Sequence, residues 1–325
     1  MSSLRVFVYE YLSGGGAGDD LTADDRALLE QGRAMRDAIV RDLARVDGVL
    51  VTRAAVDARG DDPARRVTNV APATRETAAG FLRRQAAEHD RVWVVAPETD
   101  GILAGLRACI TDRQWIGCSL DAIRIAGSKR ATRECLRRSG IATTRDAADC
   151  NPADARGQRV VVKPDDGAGA CETRVHATLA EALADRARRK LQERAFVAEF
   201  WEEGAPLSLS LLCGARGDVD LLSVNRQIIH VAADGAVRYG GVAVGVHDYD
   251  ASADAFAALA RAVADAMPGL RGYVGIDLVL GDDGRPVVVE INPRVTCAYA
   301  DLSAALGRNV GSEVLRQHER VFAHA

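Results

Sequence analysis

The stretch Val287-Val288-Val289-Glu290-Ile291-Asn292-Pro293-Arg294 decides the fold, together with Gly275-Ile276-Asp277 shortly before it. Both segments are typical of apolar strands, and the turn Gly281-Asp282-Asp283-Gly284 between them predicts an antiparallel hairpin. Because side chains alternate along a strand, Glu290 and Asn292 share one face, and Asp277 can lie beside them on the neighbouring strand. The spacing therefore predicts a compact cage of oxygen-bearing side chains.

This cage suits a hard divalent cation. Carboxylate and amide oxygens favour Mg²⁺ over zinc or a redox metal, with Mn²⁺ as an alternative. The competing interpretation is an ordinary hairpin whose polar side chains face water. Glu290 interrupts an otherwise apolar run from Val287 to Ile291, and a carboxylate in such a run should be paired, metal-bound or neutralised. We therefore predict that Asp277, Glu290 and Asn292 bind the metal.

Composition narrows the class of protein. The chain of 325 residues favours two or three subdomains, and 48% hydrophobic with 27% charged residues is typical of a globular protein. A net charge of −4 gives no sign of a nucleic-acid partner. The seven cysteines contain no CxxC spacing, so neither a zinc site nor a disulfide framework is predicted. No signal peptide or membrane span is expected, and a cytoplasmic location is the prediction.

The first 115 residues alternate strands and helices. The predicted strands are 5–11, 49–51 and 91–96, and the predicted helices are 22–46 and 77–89. This alternation favours a βαβ unit with a parallel sheet, in which ligands bind beyond the carboxyl ends of the strands. Those ends are the segments 10–16 and 97–101. The glycine-rich loop 13–18 is either a flexible loop or one that covers a substrate.

Two lysines occupy positions that suit phosphate binding. Lys163 ends the predicted strand 160–164, just before the acidic, glycine-rich turn 165–170 that contains Gly167. An ammonium and turn amides placed this way can meet phosphate oxygens. Lys129 opens a predicted helix and could supply a second contact. The alternatives are a solvated residue at a helix start for Lys129 and an edge-strand lysine for Lys163.

A further predicted strand at 195–201 contains Glu199, Phe200 and Trp201 and leads into Glu202-Glu203-Gly204. Its exposed backbone could contact the edge of an adenine, and Glu203 could hold the ribose hydroxyls. Alone, this is a generic strand and turn. Its position in the sequence between Lys163 and the hairpin favours a role in binding the same ligand.

Taken in order, these motifs closely resemble those of the ATP-grasp superfamily. The resemblance covers about residues 120 to 300. It implies an α/β ATP-grasp fold with an N-terminal βαβ, Rossmann-like pre-ATP-grasp domain at 1–115, and ATP-grasp subdomains at 116–195 and 196–325. It also implies that Lys129 and Lys163 hold the α and β phosphates of ATP, and that the hairpin cage holds one or two Mg²⁺ ions.

Shorter segments resemble the tyramine/L-glutamate ligase branch, which serves methanofuran biosynthesis in methanogens. They are Tyr9-Glu10-Tyr11-Leu12-Ser13-Gly14-Gly15-Gly16, Ala96-Pro97-Glu98, Ser128-Lys129, Asn225-Arg226-Gln227 and Tyr239-Gly240-Gly241. The resemblance implies substrate contacts by five residues: Glu10, Ser13, Glu98, Tyr239 and Gly241. Lysine occurs only three times among 42 basic residues, a bias typical of a GC-rich genome. A bacterial relative would serve the analogous methylofuran cofactor.

One position departs from the related D-alanine/D-alanine ligase type. Those enzymes place an arginine two residues before the metal aspartate, where this chain has Gly275. Arg294 or Arg226 would then supply the charge that steadies the anionic intermediate, so both are predicted catalytic residues. An ion pair between Arg294 and Glu290 or another nearby acid is the competing interpretation.

The implied reaction is carboxylate activation followed by amide formation. The substrate carboxylate attacks the γ-phosphate of Mg-ATP, and an amine displaces phosphate from the acyl phosphate. The leading prediction joins glutamate to an aromatic amine, tyramine or tyrosine, so the partners are small molecules, with a homodimer possible. The alternatives are another amino-acid or dipeptide ligase, and an ATP- or dinucleotide-binding regulatory module without turnover.

Overall fold

A computed structural model of the chain describes residues 3–18, 23–56, 66–147, 150, 155–189, 194–214 and 217–323. Within them lie three sheets, with helices packed on their faces. The helices are α1 (Ala23–Leu43), α2 (Ala78–Glu88), α3 (Ile102–Arg107), α4 (Leu120–Ala126), α5 (Lys129–Arg138), α6 (Leu179–Arg189), α7 (Ala253–Ala266), α8 (Tyr299–Leu306) and α9 (Val310–Ala323). None of the helices described is long and apolar enough to cross a membrane.

The N-terminal sheet is parallel throughout, as the alternating pattern predicted. Its strands are β1 (Leu4–Glu10), β2 (Val49–Ala54), β3 (Val67–Val70), β4 (Arg91–Val95) and β5 (Trp115–Ile116), in the order β3-β2-β1-β4-β5. The chain reverses direction across the sheet between β1 and β4, and such switch points form ligand crevices. Glu10 ends β1 there, and Pro97 follows β4. Residue 22, where the first predicted helix begins, lies outside the described residues.

A small antiparallel sheet follows, with β6 (Val160–Pro164) between β7 (Arg174–His176) and β8 (Phe196–Phe200). The helix α6 covers it and completes a separate apolar cluster that includes Val160, Ala182 and Phe200. The strand β8 lies after the predicted boundary at 195, yet it pairs with β6 on the other side of that boundary.

The third sheet is antiparallel and carries the predicted hairpin. Its strands are β9 (Ala205–Cys213), β10 (Val219–Val231), β11 (Val237–Ala243), β12 (Gly272–Leu280) and β13 (Pro286–Asn292), in the order β11-β10-β9-β12-β13. Alternating apolar residues of β9 and β12 are fully buried, and they share one core with the N-terminal sheet. This common core fixes the hairpin relative to the switch point of the first sheet.

Candidate functional site

A cavity of about 420 Å³ is lined by residues from all three sheets. Thirteen of the predicted site residues line it: Glu10, Lys129, Lys163, Gly167, Glu199, Phe200, Trp201, Glu203, Tyr239, Asp277, Glu290, Asn292 and Arg294. Residues far apart in the sequence therefore meet at one site.

The hairpin forms the predicted cage. Asp277 pairs with Glu290 in the register of β12 and β13, with a bulge directly after Asp277. Asn292 Nδ2 donates to Asp277 Oδ2 at 3.0 Å, and Gln227 Nε2 donates to Asp277 Oδ1 at 3.0 Å. Burial, reinforced by the charge of Glu290, raises the pKa of Asp277 from 3.8 to about 7. A cation bound between two neighbouring carboxylates of this kind would stabilise their ionised forms.

The donor set of the cage fits a hard divalent ion. Asp277 and Glu290 offer carboxylate oxygens, and Asn292 keeps its amide oxygen available because its amide nitrogen binds Asp277. In the described part of the chain, no group of three or more His, Cys, Asp or Glu side chains could hold a metal ion. The cage contains only two such side chains and an amide, so the two observations agree.

Lys129 is held at the opening of α5 by the acidic turn after β6. Ser128 caps the helix by accepting a hydrogen bond from Ala131 N at 3.1 Å, and Ser128 Oγ donates to Asp165 Oδ2 at 2.8 Å. Lys129 Nζ then reaches Glu290 Oε1 at 3.1 Å and the Gly167 carbonyl at 3.2 Å. Only 9% of its side chain is exposed, so it is not a solvated helix-start lysine. Burial disfavours the ammonium, but the carboxylate of Glu290 outweighs this and raises the pKa of Lys129.

Lys163 is paired inside the small sheet. Its Nζ lies 2.8 Å from Glu199 Oε2, and Arg133 Nη1 donates to Glu199 Oε1 at 2.6 Å. The strand β6 is central in its sheet, so Lys163 is not an edge-strand lysine. Burial favours the neutral acid, yet the two cations, Lys163 foremost, lower the pKa of Glu199. The Glu199 side chain thus neutralises buried cations, which leaves the backbone of β8 as the candidate surface for an adenine.

The end of β8 forms one wall of the cavity. Phe200, Trp201 and Glu203 line it, as does Glu202, which the sequence analysis did not select. Arg159 organises this wall because its guanidinium lies 5.5 Å from the Trp201 ring centre and its Nε donates to Glu203 Oε1 at 2.9 Å. Burial raises the pKa of Glu202.

Arg294 enters the cavity just beyond the cage. Its Nη2 donates to Glu98 Oε2 at 2.9 Å, and its Nη1 donates to the Val295 carbonyl at 3.1 Å. The ion pair that competes with a catalytic role is therefore formed with Glu98 and not with Glu290. Arg294 Nε and Glu98 Oε1 are both buried without a hydrogen-bond partner among the described residues. Glu98 does not line the cavity, and its hydrogen bond to Arg294 links it to the site.

Besides Glu98, three predicted residues lie outside the cavity lining. Arg226 is half-exposed, binds Asp248 and lies 5.8 Å from the Tyr249 ring centre. Gly241 lies on β11 beside residues that do line the cavity. Ser13 is buried, and its backbone N–H donates to Glu10 Oε2 at 2.7 Å.

Gln227 is a polar cavity residue on β10 that the sequence analysis did not select as a site residue. It lines the cavity and contacts Asp277, whereas its neighbour Arg226 points to the other face of the strand. Alternation was the available signal, because Asn225 is fully buried and Gln227 shares its face.

Two buried lysines, a cage of oxygen-bearing side chains and the end of a strand surround one cavity in an α/β fold. The sequence pattern of the ATP-grasp domain matches residues 126–298, and that of the pre ATP-grasp 3 domain matches residues 49–123. The chain belongs to the ATP-grasp family, with the fold predicted from its sequence. It is an ATP-dependent carbon–nitrogen ligase of the ADP-forming type, and enzymes of this family use ATP with Mg²⁺.

Known proteins resemble the chain along most of its length. It is 26% identical over 303 residues to the tyramine–L-glutamate ligase of Methanocaldococcus jannaschii, covering 90% of this chain and 87% of that one. An ATP-grasp superfamily protein from Archaeoglobus fulgidus has a TM-score of 0.69 at 23% identity, covering 97% and 88% of the two chains. The D-alanine–D-alanine ligase of Bacillus anthracis complexed with ATP has a TM-score of 0.64 at 15% identity, covering 98% of each chain.

Proposed function

We propose that this chain joins a carboxylate of glutamate to an aromatic amine, tyramine or tyrosine, in the biosynthesis of a methylofuran-type cofactor in the cytoplasm. ATP activates the carboxylate as an acyl phosphate. The observation that carries the reaction type is the placement of Arg294 in the same cavity as Lys129 and the Asp277–Glu290 cage. The similarity to a tyramine–L-glutamate ligase supports the choice of substrates.

In this proposal the nucleotide occupies the end of the cavity between the three-stranded sheet and the C-terminal antiparallel sheet. Lys129 and Lys163 hold its phosphates together with the turn at Gly167, and the backbone at Phe200 and Trp201 meets the adenine. Glu203 accepts hydrogen bonds from the ribose. Both lysines are engaged by carboxylates in the nucleotide-free protein, so the phosphates replace existing partners and do not meet bare charges.

The cage at Asp277, Glu290 and Asn292 holds Mg²⁺, with Mn²⁺ as the alternative ion. When bound there, the metal supplies positive charge that neutralises the transferring phosphoryl group. Burial raises the pKa of Asp277, and a cation bound beside it would favour the ionised carboxylate.

The substrates occupy the end beside Arg294. Its guanidinium, held by Glu98, stabilises the negative charge that develops at the reacting carboxyl group. Glu10 and Tyr239 form part of the wall there, and Ser13 supports Glu10 through its backbone N–H. Arg226 and Gly241 have no part in this assignment, since neither residue lines the cavity.

Neither step of the proposed reaction requires a covalent bond between the substrate and the protein. A carboxylate oxygen bonds to the γ-phosphorus as the bond to ADP breaks. The ammonium form of the amine gives up one proton to the solvent, and its nitrogen then bonds to the acyl carbon. Phosphate leaves with its bridging oxygen and takes up the second proton that the nitrogen loses. Positioning and charge neutralisation can supply most of the acceleration in such phosphoryl transfers.

A substrate panel tests the assignment. Purified protein with Mg-ATP, glutamate and tyramine should release ADP in an amine-dependent manner, with the amide detected by mass spectrometry. ADP release with a different carboxylate and amine would favour another amino-acid or dipeptide ligase. No amine-dependent ADP release with any pair would favour a regulatory ATP-binding module.

A further inference from the structure

Glu10 is a buried carboxylate that ends β1 and faces the cavity. It is 3% exposed. Its oxygens accept hydrogen bonds from the backbone N–H groups of Leu12, at 3.1 Å, and Ser13, at 2.7 Å. A carboxylate offers about four acceptor sites, so part of its capacity is unused by these two bonds. Among the described residues no lysine, arginine or histidine forms an ion pair with it.

The guanidinium of the nearby Arg36 forms its hydrogen bonds with groups other than Glu10. Its Nε donates to Asp37 Oδ1 at 2.9 Å, and its Nη1 donates to the Ala54 carbonyl at 3.3 Å. Burial raises the pKa of Glu10, and the hydrogen bonds from the Ser13 and Leu12 segment and the charge of Arg36 only partly oppose this. A buried carboxylate without a direct counter-charge is costly, and a bound cation would relieve that cost.

The helix α1 leaves room for this carboxylate through a glycine. A Cβ atom at Gly32 would lie 2.5 Å from Glu10 Oε1, closer than real Cβ contacts allow. Glycine in the middle of a helix is less favourable than alanine. Gly32 therefore keeps the surface of α1 open at the point where Glu10 meets it.

One face of α1 forms a mostly apolar wall beside Glu10 and extends to the reacting end of the cavity. Leu28, Gln31, Gly32 and Met35 follow helical spacing on one face of α1, and all four line the cavity. Gln31 Oε1 accepts a hydrogen bond at 3.3 Å from the thiol of Cys297, three residues beyond Arg294. This face of α1 thus joins Glu10 to the segment that carries Arg294.

We propose that Glu10 binds the ammonium group of the amine substrate, with the apolar body of that amine against Leu28 and Met35. This inference rests on the proposed function and narrows it. Glutamate carries one ammonium group but also two carboxylates, so its net charge is negative and Glu10 would repel it, whereas an aromatic monoamine carries only a positive charge. For the same reason the site favours tyramine over tyrosine, whose own carboxylate would lie close to Glu10.

The variant Glu10→Gln separates amine recognition from carboxylate activation. Loss of a hydrogen-bonded charge contact should raise the KM for tyramine by about 10- to 100-fold. Hydroxylamine is small and uncharged at neutral pH, and it captures an activated carboxylate as a hydroxamate. The rate of glutamyl hydroxamate formation should therefore fall far less than the rate of tyramide formation, and the KM for glutamate should change little.

A second variant guards against misfolding as an explanation. Gly32→Ala keeps the charge of Glu10 and favours the helix, but its methyl group displaces the carboxylate. It should also raise the KM for tyramine and spare hydroxamate formation. Melting temperatures of both variants, measured on the full chain, show whether the fold is retained.

Three results would overturn the inference. They are an unchanged tyramine KM in Glu10→Gln, a rise in the glutamate KM in place of the tyramine KM, or a selectivity between tyramine and tyrosine that the variant leaves unchanged. A wild-type protein that forms neither amide nor hydroxamate would instead refute the proposed function. In that case calorimetric titration with tyramine in the presence of Mg-ADP still tests the role of Glu10. Wild type should bind tyramine, and Glu10→Gln should not.

Discussion

Lys129 Nζ lies 3.1 Å from Glu290 Oε1, so a predicted phosphate ligand and a predicted metal ligand neutralise each other in the nucleotide-free protein. An arriving Mg-nucleotide would take both partners at once, the metal at Glu290 and a phosphate at Lys129. Binding then exchanges one buried ion pair for two, which avoids a buried charge without a partner at either stage.

The variant Glu290→Gln should abolish most ATP turnover. It removes one of the two cage charges at nearly constant volume, so the affinity for Mg²⁺ should fall by at least about 10- to 100-fold, the loss typical of groups one step removed from a metal. The measurement is ADP release as a function of Mg²⁺ concentration. Asp283→Asn, in the exposed turn of the same hairpin, is the matched control and should behave like wild type. Undiminished activity of Glu290→Gln would refute the metal assignment.

The variant Lys163→Met should weaken ATP binding by about 10- to 100-fold, because it removes a charge-assisted contact to phosphate. It also leaves the buried Glu199 with Arg133 as its remaining cation, so stability should fall as well. Calorimetric titration with ATP measures the first effect and chemical denaturation the second.

Adding Glu199→Gln to that variant should restore stability but not ATP affinity. Arg137→Ala, which removes an exposed cation from α5, should leave both unchanged. If Lys163→Met binds ATP as tightly as wild type does, Lys163 has only a structural role.

The raised pKa of Asp277 predicts a pH-dependent stability of the metal-free protein. Between its unfolded value of 3.8 and its folded value of about 7, the native state holds more protons than the unfolded state. The free energy of unfolding should therefore decrease across this window as the pH rises. Asp277→Asn removes this contribution. Denaturation in EDTA should therefore show that the free energy of unfolding of the variant, relative to that of wild type, is higher at pH 8 than at pH 5.

Added Mg²⁺ should oppose the loss of wild-type stability at the higher pH, because the metal binds the ionised carboxylate. Wild type should then be stabilised at pH 8 more than at pH 5, while Asp277→Asn responds weakly at both. A wild-type response to Mg²⁺ independent of pH would contradict the proposed ligand.

The variant Glu98→Gln should slow turnover without weakening ATP binding. Glu98 contacts the site through Arg294, so loss of its charge loosens the guanidinium that we place at the reacting carboxyl group. We expect kcat to fall by about 100-fold or more, in the range for loss of one preorganised donor. Arg294→Lys should fall further, since a lysine cannot match the planar guanidinium. If ATP affinity falls as much as kcat does in these variants, Glu98 and Arg294 support nucleotide binding instead.

The hairpin and its cage were predictable because their determinants are local. Strand alternation sets the face shared by Glu290 and Asn292, and a Gly-Asp-Asp-Gly turn sets the pairing with Asp277. The parallel N-terminal sheet followed from its alternating pattern for the same reason. The strand β3 was missed because four residues of mixed polarity carry little periodicity.

The contacts between distant segments could not be predicted in this way. The pairing of Lys163 with Glu199 depends on two antiparallel strands in register, and that of Arg294 with Glu98 joins two separate sheets. The three-domain division stays a proposal, with limited proteolysis as its test. The role of Arg226 was inferred from the absence of an arginine at Gly275, whereas its exposure on the outer face of β10 follows from the burial of Asn225 on the other face.

Oxygen transfer tests the central claim most directly. Glutamate labelled with ¹⁸O in both carboxyl groups, supplied with Mg-ATP and tyramine, should pass one ¹⁸O atom to each phosphate released, because the acyl phosphate leaves with its bridging carboxyl oxygen. Mass spectrometry of the phosphate measures this transfer. Amide formation with unlabelled phosphate would contradict activation of the carboxylate by ATP in this cavity.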